Sequence, residues 1–200
     1  MTDQTTTARV NLKATLSRKL AGAGKIAVLA VGSSLRSDDG AAMWTARCLR
    51  QFRWPSRPKV KVFLGETAPE NLTGEIRKYQ PTHLVIVDAA QTGRPAGRIA
   101  IIDLEWEDSG MTFSTHNLPL AVTLRYLQNC QSCCMFIVGI EPKSLEFCGA
   151  MSAVVQRAAT RLATTIHAAV MHVAKGSLSD ATVRKGRRSS CQKKSSSRRS

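Results

Sequence analysis

"KIAVLAVGSSLRSDDG", residues 25 to 40, decides the fold. One lysine and six apolar residues in an unbroken run predict a strand buried on both faces, the signature of a parallel sheet. A small polar loop follows, and then two adjacent carboxylates, Asp38 and Asp39, ahead of Gly40. "DGAAMWTARCLRQF" continues as a helix that turns Met43, Ala46, Cys48 and Leu49 towards the sheet.

The same alternation recurs downstream. "KVKVFLG" predicts a second strand, and "PENLTGEIRKY" opens with Pro69 and Glu70 as a helix start, with Leu72 and Ile76 at helical spacing. "THLVIVDAA" (82 to 90) is the third strand, with Asp88 at its C-terminal end. "GRIAIIDLE" (97 to 105) follows too soon for a crossover helix, which predicts antiparallel pairing or an edge position. "THNLPLAVTLRYLQ" is a helix with Asn117 as cap and Pro119 in the first turn, where its missing donor costs nothing. "CMFIVGIEP" is the fifth strand. A last helix is expected from about Met151 to Val173, its stripe running from Val154 and Val155 to Ala169 and Val170. The expected fold is α/β: a three-layer α/β/α sandwich around a mostly parallel five-stranded twisted sheet with right-handed crossovers.

Three segments divide the 200 residues: an N-terminal helical extension over 1–24, one α/β domain over 25–175, and a basic tail over 176–200, expected to be disordered. "VNLKATLSRKL" spaces Leu12, Leu16 and Leu20 as a helix stripe; its Thr- and basic-rich surroundings also faintly resemble a transit peptide. The net charge is +15, and more than half of that excess lies from Lys175 onward, where nine basic residues face Asp180 alone. Such a tail suits an RNA-, membrane- or chaperone-contacting arm or a solvated extension, and the solvated extension is the simpler reading, so no nucleic-acid partner is expected. No run is long and apolar enough to span a membrane. The six cysteines follow no secreted framework, which points to a reducing cytoplasm. "CQSCC" (130 to 134) holds one C-x-x-C, a weak zinc or redox signal without a second pair.

Ligands of such sheets sit beyond the C-terminal ends of the strands, where the strand order reverses. If that order begins 2-1-3, the reversal falls between the strands that deliver Asp39 and Asp88. His116, in "STHNLPL" after the fourth strand, supplies a third donor towards the same crevice. Two carboxylates and an imidazole suit Ni(II), Zn(II), Mn(II) or Fe(II). Taken singly, each has a plainer reading as a cap, turn former or loop anchor, and His83, His167 and His172 have only such readings. One glycine followed by acids after the first strand argues against a dinucleotide site. With no G-x-S-x-G elbow and no Cys/His spacing, a protein nucleophile is not expected.

At these residues the sequence resembles the hydrogenase maturation endopeptidases, which trim the C-terminus of [NiFe]-hydrogenase large-subunit precursors. Four blocks carry the resemblance: "VGSSLRSDDG" (31 to 40), "GETAPENLTGEIRKYQPTHLVIVDAA" (65 to 90), "STHNLPL" (114 to 120) and "VGIEPKSLEF" (138 to 147). It implies that Asp39, Asp88 and His116 contact the metal and carry catalysis, with Asp38 orienting the loop. It implies further that nickel arrives with the substrate precursor, that no permanent catalytic metal is held, and that the protein acts in the cytoplasm as a monomer. The sequence departs from the family at Ser33, where Asn is usual, and at "LGET" (64 to 67), where Leu64 removes one acid and Glu66 brings another. A non-catalytic, metal-binding or chaperone-like homologue in hydrogenase assembly is the alternative those departures leave open.

Overall fold

The computed structural model describes residues 11–104, 118–130 and 132–192; in its helices, side chains are described for 120–129 and as far as Gly176. His116 and Asn117 lie outside the described residues. So do the sequence expectations that end strand four at 105.

Helix α1 (Leu12–Lys19) starts at Asn11, whose side chain accepts the Ala14 amide at 3.3 Å. Its expected stripe is real: Leu16 and Leu20 are fully buried, and Leu12 packs alongside. Strand β1 (Lys25–Val31) follows, then helix α2 (Ala41–Arg50), strand β2 (Lys59–Glu66) and helix α3 (Thr73–Tyr79). Pro69–Leu72 forms a single 3-10 turn in front of α3, so the expected helix begins one turn late. Strand β3 (His83–Ala89), strand β4 (Ile99–Asp103), helix α4 (Leu118–Cys130), strand β5 (Cys134–Ile140) and helix α5 (Ala153–Gln192) complete the described chain.

The five strands form one sheet in the order β2-β1-β3-β5-β4. β1 lies parallel to both β2 and β3, and β3 is parallel to β5, whereas β4 pairs antiparallel with β5 at the edge. The order begins 2-1-3, as the sequence reading supposed, and the fourth strand is the antiparallel edge it expected. β1 and β3 run through the middle of the sheet and are buried almost throughout, as their continuous apolar runs require. The lysines at 59 and 61 alternate outward along the β2 edge, where charge discourages pairing with another sheet.

Alternation along the strands sorts the core into two layers. Ile26, Val28, Ala30, Val85, Val87, Phe136 and Val138 face one side, with α1, α2 and α5. Ala27, Leu29, Leu84, Ile86 and Ile137 face the other, with Ile76 of α3 and Leu120, Leu124 and Leu127 of α4. Helices therefore cover both faces, and the architecture is the expected three-layer sandwich.

Helix α5 outruns its expected end. The sequence reading stops near Val173, but the helical backbone continues to Gln192. Its buried stripe, Val155, Ala159, Leu162, Ala163, Ile166, Ala169 and Val170, closes at Ala174, and Val154 lies off that stripe, partly exposed. The reading ended the helix where its apolar face ends. Adding a residue to a formed helix needs no such face, because each new residue brings its own hydrogen bond.

Candidate active site

The loop after β1 is built to hold one carboxylate outward and one inward. Gly32 has φ 134°, and a Cβ there would sit 2.2 Å from the Asp39 carbonyl oxygen, so only glycine lets the chain fold back so tightly. The Gly32 amide donates to the Glu66 carbonyl at 2.8 Å, and the Asp39 amide donates to the Arg36 carbonyl at 2.8 Å. The Ser33 amide donates to Asp39 Oδ2 at 2.7 Å, which fixes the half-buried carboxylate at the mouth of the loop.

Asp38 points the other way. It is fully buried and accepts the amides of Lys143 at 2.8 Å, Ser144 at 3.1 Å and Ser152 at 2.6 Å, together with the Ser152 hydroxyl at 3.0 Å. Its own amide donates to the Ser144 carbonyl. Those four donors satisfy the carboxylate oxygens although they are out of water. Asp38 thus ties the β1 loop to the segment that follows β5.

Asp88, next to last in β3, reaches the same end of the sheet and is 4% exposed. Its Oδ1 accepts the Ala89 amide at 2.8 Å. Between the two strands lies a cleft of about 430 Å³. Asp39, Asp88 and Glu66 line it with carboxylates, Arg36 is its one cation among the described residues, and Val31, Leu120 and Leu145 add apolar wall. The cleft sits where the strand order reverses, the place the topology assigns to a ligand. Glu66 reaches it because the β1–β2 register shifts between Ala30 and Val31 and Glu66 itself takes φ 49°. Such an irregularity re-aims the end of a strand, while Leu64 packs against the core on the helix α2 side.

Of the three expected metal-contacting residues, the structure brings Asp39 and Asp88 to one cleft, and His116 falls outside the described residues. Among the described residues, no three His, Cys, Asp or Glu side chains stand close enough to hold a metal ion. Leu120, four residues beyond His116 in sequence, lines the cleft.

One residue of this region was not singled out in the sequence. Glu141, directly after β5, is 7% exposed and accepts the Thr92 amide at 2.8 Å and its hydroxyl at 2.6 Å. Burial alone would raise its carboxyl, but the Thr92 hydroxyl and the amides of Thr92, Arg94 and Gly93 outweigh it and hold the group below its usual range. Glu141 therefore clamps the loop that carries Gln91 into the cleft.

None of the described histidines and cysteines lines the cleft. His83 sits at the far end of β3, against the Thr82 hydroxyl at 3.0 Å, and burial lowers its imidazole below the ordinary value. His167 stacks on Phe52 with centroids 4.4 Å apart and meets Trp54 edge-on. Of "CQSCC", Cys133 is half-buried and Cys134 exposed at the start of β5, at the end of the sheet away from the cleft.

With that geometry in place, known proteins supply a context. Residues 45–169 match the family described as hydrogenase maturation protease; that match begins downstream of the Asp39 turn and includes Asp88. The hydrogenase 3 maturation protease of Escherichia coli is 35% identical over 122 residues, 60% of this chain and 74% of that protein. A [NiFe] hydrogenase maturation protease, HycI, from Thermococcus kodakarensis superposes with a TM-score of 0.71 at 26% identity, covering 78% of this chain and 99% of that one. The endopeptidase HycI from Escherichia coli superposes with a TM-score of 0.60 at 30% identity, covering 70% and 87% of the two chains. No helix among the described residues is long and apolar enough to cross a membrane.

Proposed function

The chain belongs to the hydrogenase maturation protease family and is an endopeptidase, and from that premise we propose which bond it cuts and what licenses the cut. It removes the C-terminal extension of a [NiFe]-hydrogenase large-subunit precursor, in the cytoplasm, once nickel has been inserted into that precursor. The observation that carries this reading is the convergence of Asp39 and Asp88 on one cleft at the sheet's switch point.

The nickel is part of the substrate. Oxygen donors on two strand-end loops, with the His116 imidazole as a third ligand, match the borderline character of Ni(II). Asp39 keeps Oδ2 on the Ser33 amide, and Oδ1 is the oxygen that would meet the metal. Asp88 is held from behind by the Ala89 amide. His116 precedes Leu120 by four residues, at most about 14 Å of extended chain, and Leu120 is already at the cleft wall.

Bound there, the substrate's nickel acts as a Lewis acid beside the scissile peptide, polarising its carbonyl or lowering the pKa of an attacking water. On this reading the attacking group is water, and no protein nucleophile is called for. A precursor that has not received nickel lacks the ion that docks it, so the cut follows insertion. Glu66 supplies carboxylate charge to the same cleft, which favours an active protease over an inactive homologue.

The test is the intact mass of a large-subunit precursor before and after incubation, loaded with nickel or free of it. Loss of the C-terminal peptide is expected only from the nickel-loaded precursor. Equal trimming of both forms would remove nickel from the reaction, and trimming of neither would remove the substrate.

A further inference from the structure

An endopeptidase must hold chain on either side of the bond it cuts, and two of the segments that line the cleft of this protein also carry exposed apolar residues. Among the described residues, few large hydrophobic side chains are exposed. Two of them, Leu35 at 64% and Phe147 at 70%, come from the two segments that flank the cleft. Leu35 directly precedes Arg36, and Phe147 lies two residues beyond Leu145, and both Arg36 and Leu145 line the cleft wall. The Cys148 amide donates to the Leu35 carbonyl at 2.8 Å, so the backbones of the two segments meet where Leu35 and Phe147 branch from them.

The rim is rigid as well as exposed. The Ser37 hydroxyl donates to the Glu146 carbonyl at 2.9 Å, the Asp38 amide donates to the Ser144 carbonyl, and the Asp38 carboxylate gathers the amides of Lys143 and Ser144. The 33–39 loop and the 143–148 segment therefore form one bonded unit that also carries Asp39. Fixing side chains in place before binding removes part of the ordering cost that a flexible loop would meet. Leu35 and Phe147 leave most of their side-chain surface in solvent, available to a polypeptide that occupies the neighbouring cleft.

We propose that Leu35 and Phe147 form a specificity subsite that receives a large apolar side chain of the precursor polypeptide within a few residues of the bond cut. The range follows from the chain: an extended substrate advances about 3.3 Å per residue, and the rim begins one or two residues from the cleft wall. The inference rests on the precursor as substrate but not on nickel, since the rim contributes no donor atom. It adds a second criterion for cleavage: metal loading licenses the cut, and an apolar residue sets its register.

The experiment compares the full chain with Leu35→Ser, Phe147→Ser, the double variant and Val122→Ser. Val122 is 64% exposed on α4, two residues from inward-facing Leu120. Two measurements are made: steady-state trimming of nickel-loaded precursor, and fluorescence anisotropy of a labelled synthetic peptide spanning the junction between mature subunit and extension. Each rim substitution is expected to raise KM and peptide Kd about tenfold and the double variant about a hundredfold, with kcat little changed, in line with loss of one buried apolar side chain each. Val122→Ser is expected to match the wild type. A double variant within twofold of the wild type in both KM and Kd overturns the subsite, as does a wild type that does not bind the peptide. If the wild type binds the peptide through the rim but trims nothing, the proposed cleavage falls and the subsite stands.

Discussion

Ser152 donates twice to Asp38 across 114 residues of sequence, its amide to Oδ1 at 2.6 Å and its hydroxyl to Oδ2 at 3.0 Å. The adjacent acid, Asp39, faces the cleft instead. Neighbours in sequence thus have separable tasks, and substitution should separate them. Asp38→Ala removes the acceptor of the part-buried amides of Lys143, Ser144 and Ser152, and it is expected to destabilise the fold by about 3 kcal/mol, since each unsatisfied donor costs about 1–3 kcal/mol when out of water. Asp39→Ala loses only the Ser33 amide bond at a half-buried position; it is expected to cost about 1 kcal/mol while abolishing trimming. Urea denaturation and precursor mass read the two effects independently. If Asp38→Ala unfolds at the wild-type midpoint, the clamp has been misjudged.

Gly32 gives a second, stricter test of the same loop. An alanine Cβ at that position would lie 2.2 Å from the Asp39 backbone oxygen, and φ 134° is unfavourable for any L residue. Backbone must move to admit it, and the backbone that moves carries Asp39. Gly32→Ala is therefore expected to lower stability by about 3 kcal/mol, the sum of a strained conformation and a local overpacking, and to reduce trimming more than that loss explains. Thermal melts beside activity at a temperature where the variant is still folded will separate the two. Full activity in a folded Gly32→Ala would show that the turn tolerates rearrangement.

The sheet was legible because its message is carried by period and length. Buried runs at 26–31 and 84–87 have no other economical reading in a chain of this size, and the short connection to "GRIAIIDLE" could not house a crossover. The convergence of Asp39 and Asp88 was legible for the same reason, since topology alone carries both to one edge. Three things were not legible in the local pattern. Which acid of "DD" faces the cleft depends on long-range donors from residues 143–152, and only the family resemblance named Asp39. Glu141 is one acid among many until the loop it clamps is seen to close on it. The extension of α5 past Ala174 lies where helix formation no longer depends on an apolar face, so periodicity loses its purchase there.

Two buried titratable groups set an acid limit on stability. His83 has its imidazole lowered by burial from an ordinary 6.5, so below that pH the unfolded chain takes up a proton that the folded chain resists. Stability therefore declines as pH falls through about 6.5 and continues to decline until the folded imidazole also protonates. Glu141, held below its ordinary 4.5 by the Thr92 hydroxyl and the loop amides despite its burial, contributes stability above that pH and loses it as pH falls further. Unfolding midpoints in urea from pH 7.5 down to about 2.5 are expected to show both declines. His83→Gln should flatten the upper one and Glu141→Gln the lower one. A His83→Gln variant with an unchanged upper slope would move the titration to another group.

Glu66 is the departure whose effect the cleft makes predictable. It is exposed, stands at the end of β2 with φ 49°, and lines the same cleft as Asp39 and Asp88. An exposed carboxylate attracts a substrate-borne divalent cation through solvent, so its contribution is moderate and screened by salt. Glu66→Gln keeps the shape and removes the charge. Its kcat/KM on nickel-loaded precursor is expected to fall about fivefold at low ionic strength, with a smaller loss at 0.5 M salt, where the Debye length shrinks to about 4 Å. Asp39→Ala should show no such recovery, because a ligand lost from the metal is not restored by screening. Precursor trimming at two salt concentrations measures both. If Glu66→Gln were as inactive as Asp39→Ala at every ionic strength, Glu66 would have to be placed among the metal's direct ligands, and the role given to His116 would need to be reassigned.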